Sequence, residues 1–432
     1  MFRTLVNAWK VKDIRTKILY TLLLVLIYRI GCYIPTPGVD ASQMSKSLEN
    51  LVAVNGFMNL FTGGAFSYYS LFAMGISPYI TGSIIIQLLT IAIPALEKLS
   101  KQEDGRQKIE RITRYVGVGL ALVQSISIIV ALNGSSDVVY NIYGEGVAMF
   151  FTFATIGLFI TAGTALLMWM GERITELGIG NGISMLIFAS IVSQVFPTVN
   201  NIIDLVFRRG TIGWWVIPII VVLVLVITMC IVLVDKAERR IPIVYAKRVV
   251  GRKQYGGQST HLPLKANANG VMPLIFAMTI LNVPAMIAEF CRDDSWFVKF
   301  YNGVLAEGRP VYYVLYALMI VGFAYFYSTI SFNPVEISKN LQQNGGTIPG
   351  RRPGKDTGDY LKKVVSRLTL FGALFLMAIA IVPAILMQCF GISSLLSAFG
   401  PTSILIMISV AIETSNKLES MMLMRHYKGF LG

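Results

Sequence analysis

The chain has 432 residues, of which 55% are hydrophobic and only 14% charged, with a formal charge of +14. Soluble domains carry about 25% charged residues, so neither a soluble enzyme nor a disordered polymer fits. A multi-pass membrane protein does, and the question becomes what its helices surround.

Ten apolar runs follow one another, at about 18–34, 71–93, 112–132, 148–170, 183–196, 212–234, 269–290, 311–332, 368–390 and 401–412. Most approach the roughly 20 residues a helix needs to cross the hydrocarbon core. The fifth and tenth are short and turn polar early, which predicts partial spans. Pro35, Thr36 and Pro37 follow the first run where a cleavage site would need small residues, so that run reads as a retained helix. Alternating strands of barrel type are not seen.

Charge orients the chain. The N-terminus and the even-numbered connections hold 30 Lys and Arg, the odd-numbered ones 6. Basic connections stay in the cytoplasm, which predicts both termini there. Fifteen of the 30 lie in two long polar loops, about 235–268 and 333–367. Such a surface suits anionic lipid, RNA or an acidic protein. Ten runs divide into five and five, so the second half starts on the opposite side from the first, as inverted repeats require. The predicted layout is a cytoplasmic N-terminus at 1–17, one half at 18–200, the other at 201–414, and a cytoplasmic tail at 415–432.

Reactive chemistry is sparse. Cys32, Cys230, Cys291 and Cys389 lack metal-ligand spacing, and His261 and His426 lie outside the runs. Gly350–Lys355 is too short for a phosphate loop, and Asp356 stands where Ser or Thr is needed. No cofactor or metal is expected. Arg29 is the one charge deep in a run, placed to snorkel outward. Glu172 and Glu413 sit near helix ends. Coupled transporters carry charges within their spans. An uncharged pathway that seals by dewetting is therefore favoured, with a secondary transporter built on carbonyl ion sites as the alternative. Residues 55–70 (NGFMNLFTGGAFSYYS) are apolar yet too short and glycine-rich to span. They read either as an interfacial loop or as a short helix folded back into the pathway, with Gly63 and Gly64 as a flexible joint.

Ten blocks in order carry a resemblance. They are YRIGCYIPTPGVD from Tyr28, FTGGAF from Phe61, LFAMGISPYITGSIIIQLL from Leu71, GRQKIERITRY from Gly105, WMGERITELGIGNGIS from Trp169, QSTHLPLK from Gln258, GVMPLIFA from Gly270, FNPVEISKNLQQNGGTIPGRRPG from Phe332, RLTLFGALFL from Arg367 and GPTSILI from Gly400. Over nearly its whole length the chain resembles bacterial SecY, the channel-forming subunit of the Sec protein translocase.

The resemblance implies an all-α membrane protein of two five-helix halves around a central pore, closed by an apolar ring. The matching ring positions are Ile76, Ile80, Ile183, Ile187, Ile275 and Ile406. It casts Phe57, Met58, Asn59, Leu60, Phe61, Gly63 and Gly64 as a plug. Thr81, Gln124 and Asn282 become the polar seam of a lateral gate. Arg252, Lys253 and Arg352 become docking residues for the motor ATPase SecA and for the ribosome. SecE-type and SecG-type subunits, signal sequences, nascent polypeptides and membrane lipids complete the implied partners. Tyr28, Lys253 and Pro401 depart from the residues common in the family.

Overall fold

The computed structural model describes residues 8–40, 42–44, 61–100, 104–135, 139–140, 147–208, 213–245, 248–250, 253–255, 259–267, 269–291, 295–306, 308–389 and 400–428, with Val6, Asn59, Gln102 and Gly210. Each apolar run is occupied by a helix. In chain order the helices are α1 (Lys12–Gly31), α2 (Ser77–Ala92), α3 (Pro94–Ser100), α4 (Gly105–Ser135), α5 (Val147–Leu177), α6 (Gly182–Ile203) and α7 (Val216–Lys236). They continue with α8 (Met272–Phe290), α9 (Trp296–Phe300), α10 (Pro310–Ser331), α11 (Pro334–Gln343), α12 (Lys355–Cys389) and α13 (Pro401–Lys428).

By length and composition six described helices can cross a membrane, or seven if α2 and α3, bent by 105° at their junction, count as one span. α8 has only a short apolar stretch, Met272–Ala285. α1 and α13 are weighted with charge, from Lys12, Asp13, Arg15, Lys17 and Arg29 in one and Glu413, Lys417 and Glu419 in the other.

Several boundaries differ from the sequence reading. The helices of the fifth and tenth runs extend to 22 and 28 residues, and of the two only the fifth is apolar over a span's length. Polar residues ended the hydropathy signal but not the helix, because outside hydrocarbon they remain adequate helix formers. The division at 200/201 falls inside α6, which runs on into a π-helical turn, Asp204–Arg208. The tail from 415 is the continuation of α13. The second run was expected to be helical from 71, yet residues 71–76 are turns and α2 starts at Ser77.

A local signature shared by the two halves explains that late start. Gly75 (φ +55°) precedes Ile76 (φ −96°, ψ −5°), and Pro78 follows in the first turn of α2. Gly270 (φ +59°) precedes Val271 (φ −92°, ψ −5°), and Pro273 follows in the first turn of α8. Glycine supplies the left-handed residue. Proline fits where the helix has no N–H to satisfy. The first helical hydrogen bonds also match: Ile80 N–H to the Ile76 carbonyl at 3.1 Å, and Ile275 N–H to the Val271 carbonyl at 3.2 Å.

Packing separates two bundles. α2 lies on α4, α4 on α5, α5 on α6, and α1 on α5 and α6. In the second half α8 lies on α10, α10 on α12, α12 on α13, and α7 on α13. The bundles meet where α6 touches α13, and where α8 touches α2 and α4. Gly82 and Gly117 let α2 and α4 approach closely; a methyl on Gly82 would stand 3.2 Å from the Gly117 nitrogen. Small residues of this kind replace the hydrophobic drive that lipid withholds from helix association.

The two long polar loops contain a sheet. β1 (Glu238–Tyr245) and β4 (Ser259–Lys265) form a hairpin in the register Ile241 to Leu262, and between them β2 (Arg248–Val250) pairs with β3 (Lys253–Tyr255). β5 (Gly346–Thr347), from the other loop, adds to the far edge of β1. Ile241 and Ile243 alternate inward and are buried, and Ile241 joins a small core with Leu264, Ile348 and Leu361. Period-2 burial in RRIPIVY was the available signal.

Candidate functional site

All six isoleucines meet in one apolar cluster where the bundles face each other. Ile76, Ile187, Ile275 and Ile406 are buried in it, and Ile80 and Ile183 pack against it partly exposed. α2, α6, α8 and α13 each contribute, and α1 and α5 enclose the cluster through Leu24, Tyr28, Leu167, Met170 and Ile174. Ile76 and Ile80, like Ile183 and Ile187, stand four residues apart and share a face. β-Branched side chains have few rotamers, so a collar of them is stiff, uncharged and without hydrogen-bonding groups.

The segment 61–76 packs into the same cluster through Phe61, Ala65, Phe72 and Ile76. Of the residues expected to form the plug, Phe57, Met58 and Leu60 lie outside the described residues. Asn59 Nδ2 donates to Ser67 Oγ at 2.8 Å, and its Oδ1 accepts the Ser67 N–H at 3.3 Å. Phe61 is buried in the isoleucine cluster. From Gly63 onward the segment is a series of turns, not a helix. Gly63 (φ +63°) and Gly64 (φ +91°) are tight contacts where a flexible joint was expected. A methyl on Gly63 would lie 2.5 Å from the Arg29 guanidinium and 2.8 Å from Ser193 Oγ, and one on Gly64 would lie 2.8 Å from Gln194 Nε2.

Side chains of α1 hold this segment. The Tyr28 hydroxyl donates to the Thr62 carbonyl at 3.2 Å and shares a 2.6 Å hydrogen bond with Ser190 of α6. Arg29 also faces this segment; its Nη1 donates to the Gly63 carbonyl at 3.3 Å, and its guanidinium carbon lies 5.8 Å from the Tyr33 ring. Tyr69, at an uncommon φ of +47°, is pinned by its hydroxyl on the Ser125 carbonyl at 2.8 Å. Tyr28→Phe is expected to loosen this seat by about 1–2 kcal/mol, the worth of buried hydrogen bonds left unmade. Cys32, buried and facing the Thr62 carbonyl at 3.8 Å, is a native reporter. Its alkylation should accelerate about tenfold in the variant, as read by site-resolved mass spectrometry.

The seam between α8 and its neighbours α2 and α4 holds the expected gate residues unequally. Thr81 is satisfied within its own helix, its hydroxyl donating to the Ser77 carbonyl at 3.1 Å. Gln124 Oε1 on α4 and Asn282 Nδ2 on α8 are buried with no hydrogen-bond partner among the described residues. Such atoms cost about 1–3 kcal/mol each while unmet, which weakens this seam.

The family of models named SecY matches residues 70–415. The chain belongs to the SecY family. The protein translocase subunit SecY of Streptomyces galbus is 42% identical over the full length of both chains. A solved structure described as a protein-conducting channel superposes with a TM-score of 0.64 at 16% identity, covering 94% of this chain and 92% of its own. Sec61 from the canine ribosome–channel complex of the endoplasmic reticulum gives 0.60 at 15%, with the same coverage. The fold is thus that of a multi-pass membrane channel of the SecY and Sec61 kind.

In this SecY relative the expected docking residues sit on the joined loops. Arg252 lies outside the described residues, and Lys253 begins β3. Arg352 is exposed. Its neighbour Arg351 is committed elsewhere, with its guanidinium carbon 5.2 Å from the Tyr360 ring centre. Residues that sequence reasoning missed are Tyr28 and Ser190 as the seat of the re-entrant segment, and Val271, which packs against the isoleucine cluster. The repeat of Gly and Pro three residues apart before α2 and α8 was the signal for Val271.

Proposed function

We propose that this chain is the pore of a protein translocase, passing unfolded secretory polypeptides across the membrane and releasing transmembrane segments sideways into lipid. The observation that carries the reading is the convergence of Ile76, Ile80, Ile183, Ile187, Ile275 and Ile406 at the meeting of the two bundles. A collar without charge or hydrogen-bonding groups binds no side chain strongly, so it tolerates any sequence and repels water when empty. The segment from Phe57 to Gly64 serves as the plug. The seam of Thr81, Gln124 and Asn282 serves as the lateral gate.

The chain is a channel subunit and hydrolyses nothing. Its drive comes from a motor ATPase of SecA type or from the translating ribosome, docked on Arg252, Lys253 and Arg352. Two observations support one docking surface: β5 of the second loop pairs with β1 of the first, and together the loops hold half of the cytoplasmic-side cations. Salt-sensitive ribosome binding follows. SecE-type and SecG-type subunits complete a heterotrimer in the cell membrane, with both termini cytoplasmic. The two bundles move apart along the α8 seam.

The test is site-specific crosslinking of a stalled secretory chain to probes at 80, 187 and 275. Contact with all three is expected. Contact only with lipid-facing control positions overturns the assignment.

A further inference from the structure

The shared turn fixes a common register for α2 and α8. Counting from Gly75 and Gly270, Ile76 corresponds to Val271, Ile80 to Ile275, Ser83 to Met278, and Gln87 to Asn282. In each helix these four positions recur at a spacing of 4, 3 and 4 residues, so they form one stripe. Ile76, Ile80, Val271, Ile275 and Met278 all belong to or pack against the central cluster, with Val271 and Met278 also bordering the core of the second bundle, so each stripe looks toward the meeting of the bundles, where the α8 seam that holds Asn282 opens. The opposite face of α2 carries Ile85 and Leu89, both exposed.

Each stripe ends in a carboxamide with an unmet buried atom. Gln87 Nε2 donates to Ser83 Oγ at 3.1 Å, leaving Oε1 buried without a partner among the described residues. Asn282 leaves Nδ2 in the same state. A carboxamide both donates and accepts. It can therefore bond the backbone of any polypeptide without reading its side chains. The second and seventh of ten alternating spans run in opposite directions, so the two amides flank the isoleucine collar, Gln87 on the cytoplasmic side and Asn282 on the external side.

We propose that Gln87 and Asn282 are paired backbone-binding rungs for the translocating chain, one below and one above the collar. This rests on the channel reading above. Each rung lies seven residues from its collar isoleucine, about 10 Å along the helix axis. The pair is thus about 21 Å apart, the length of about six extended residues.

The experiment uses the full protein with its stalled secretory chain and photoreactive probes at 80, 87, 89, 275 and 282. The expected result is efficient crosslinking at 87 and 282 and little at 89. The client residue that reaches 87 should lie about six positions C-terminal to the one that reaches 282. Translocation by Gln87→Leu should slow about fivefold, one hydrogen bond's worth, with Gln87→Asn recovering part of it. Contact at 80 and 275 with none at 87, equal contact at 87 and 89, no such offset, or an unchanged rate in Gln87→Leu overturns the rungs while leaving the channel standing. Absence of contact at 80 and 275 overturns the channel reading itself.

Discussion

Replacing Ile80, Ile187 and Ile275 together by asparagine is expected to make the resting protein leak ions. The three side chains come from α2, α6 and α8, so the collar is breached from three sides. Each replacement gives up about 2–5 kcal/mol of packing and adds a group that water can bond. A change of about 1.4 kcal/mol already shifts an equilibrium between dry and wetted states tenfold. Ion flux into proteoliposomes should therefore rise at least about tenfold over the unmodified protein. Asparagine at lipid-facing Ile85, Leu225 and Leu318, all exposed on the helix surface, provides the control for general damage. A coupled transporter with carbonyl-built ion sites would behave otherwise: solute uptake would fall and no leak would open. The same measurement thus separates the two function classes that composition alone leaves in play.

Hydropathy placed the long helices of the described residues because lipid admits little else: a spanning segment must satisfy its own backbone and present apolar side chains. It misplaced their ends wherever the helix outlived the hydrocarbon, as in α6 and α13. It also misjudged residues 71–76, which are as apolar as a span. There the backbone was decided by Gly75 and Pro78, and that punctuation is legible only when its twin at Gly270 and Pro273 is set beside it. The basic loops were visible as charge. Their union into a sheet was not, because β5 is two residues long and finds β1 about a hundred residues away in sequence. The six isoleucines of the central cluster came from resemblance, since isoleucine is common throughout such helices. Tyr28 stood out as a departure from the family pattern, but its bond to Ser190 joins positions 162 residues apart and has no local signature.

Gly163→Ala should be among the most damaging single methyls in the fold. Gly163 lies in α5, where a Cβ would collide with the carbonyl oxygen of Leu71 and stand 2.9 Å from its carbonyl carbon. The obstacle is backbone, so no rotamer change relieves it. The obstructed strand of chain is itself anchored, with Leu71 N–H on the Ile34 carbonyl at 2.9 Å. Either α5 retreats from the central cluster, unpacking Leu167 and Met170, or residues 71–76 move and carry Ile76 out of the collar. The cost should be about 3–5 kcal/mol, in the range where single substitutions become exceptional. Gly119→Ala on α4 is the matched control, because its Cβ would meet nothing within 4 Å and helix propensity then favours alanine by about 1 kcal/mol. Thermal unfolding in detergent should show a large fall in Tm for the first and none for the second. The structural reason is testable in the same samples. If Leu71 is displaced, Cys32 loses its cover together with Thr62, and its alkylation should quicken in Gly163→Ala and stay slow in Gly119→Ala. A large fall in Tm with Cys32 still protected would instead place the damage in α5 alone, and would sever the proposed link between that helix and the seat of the re-entrant segment.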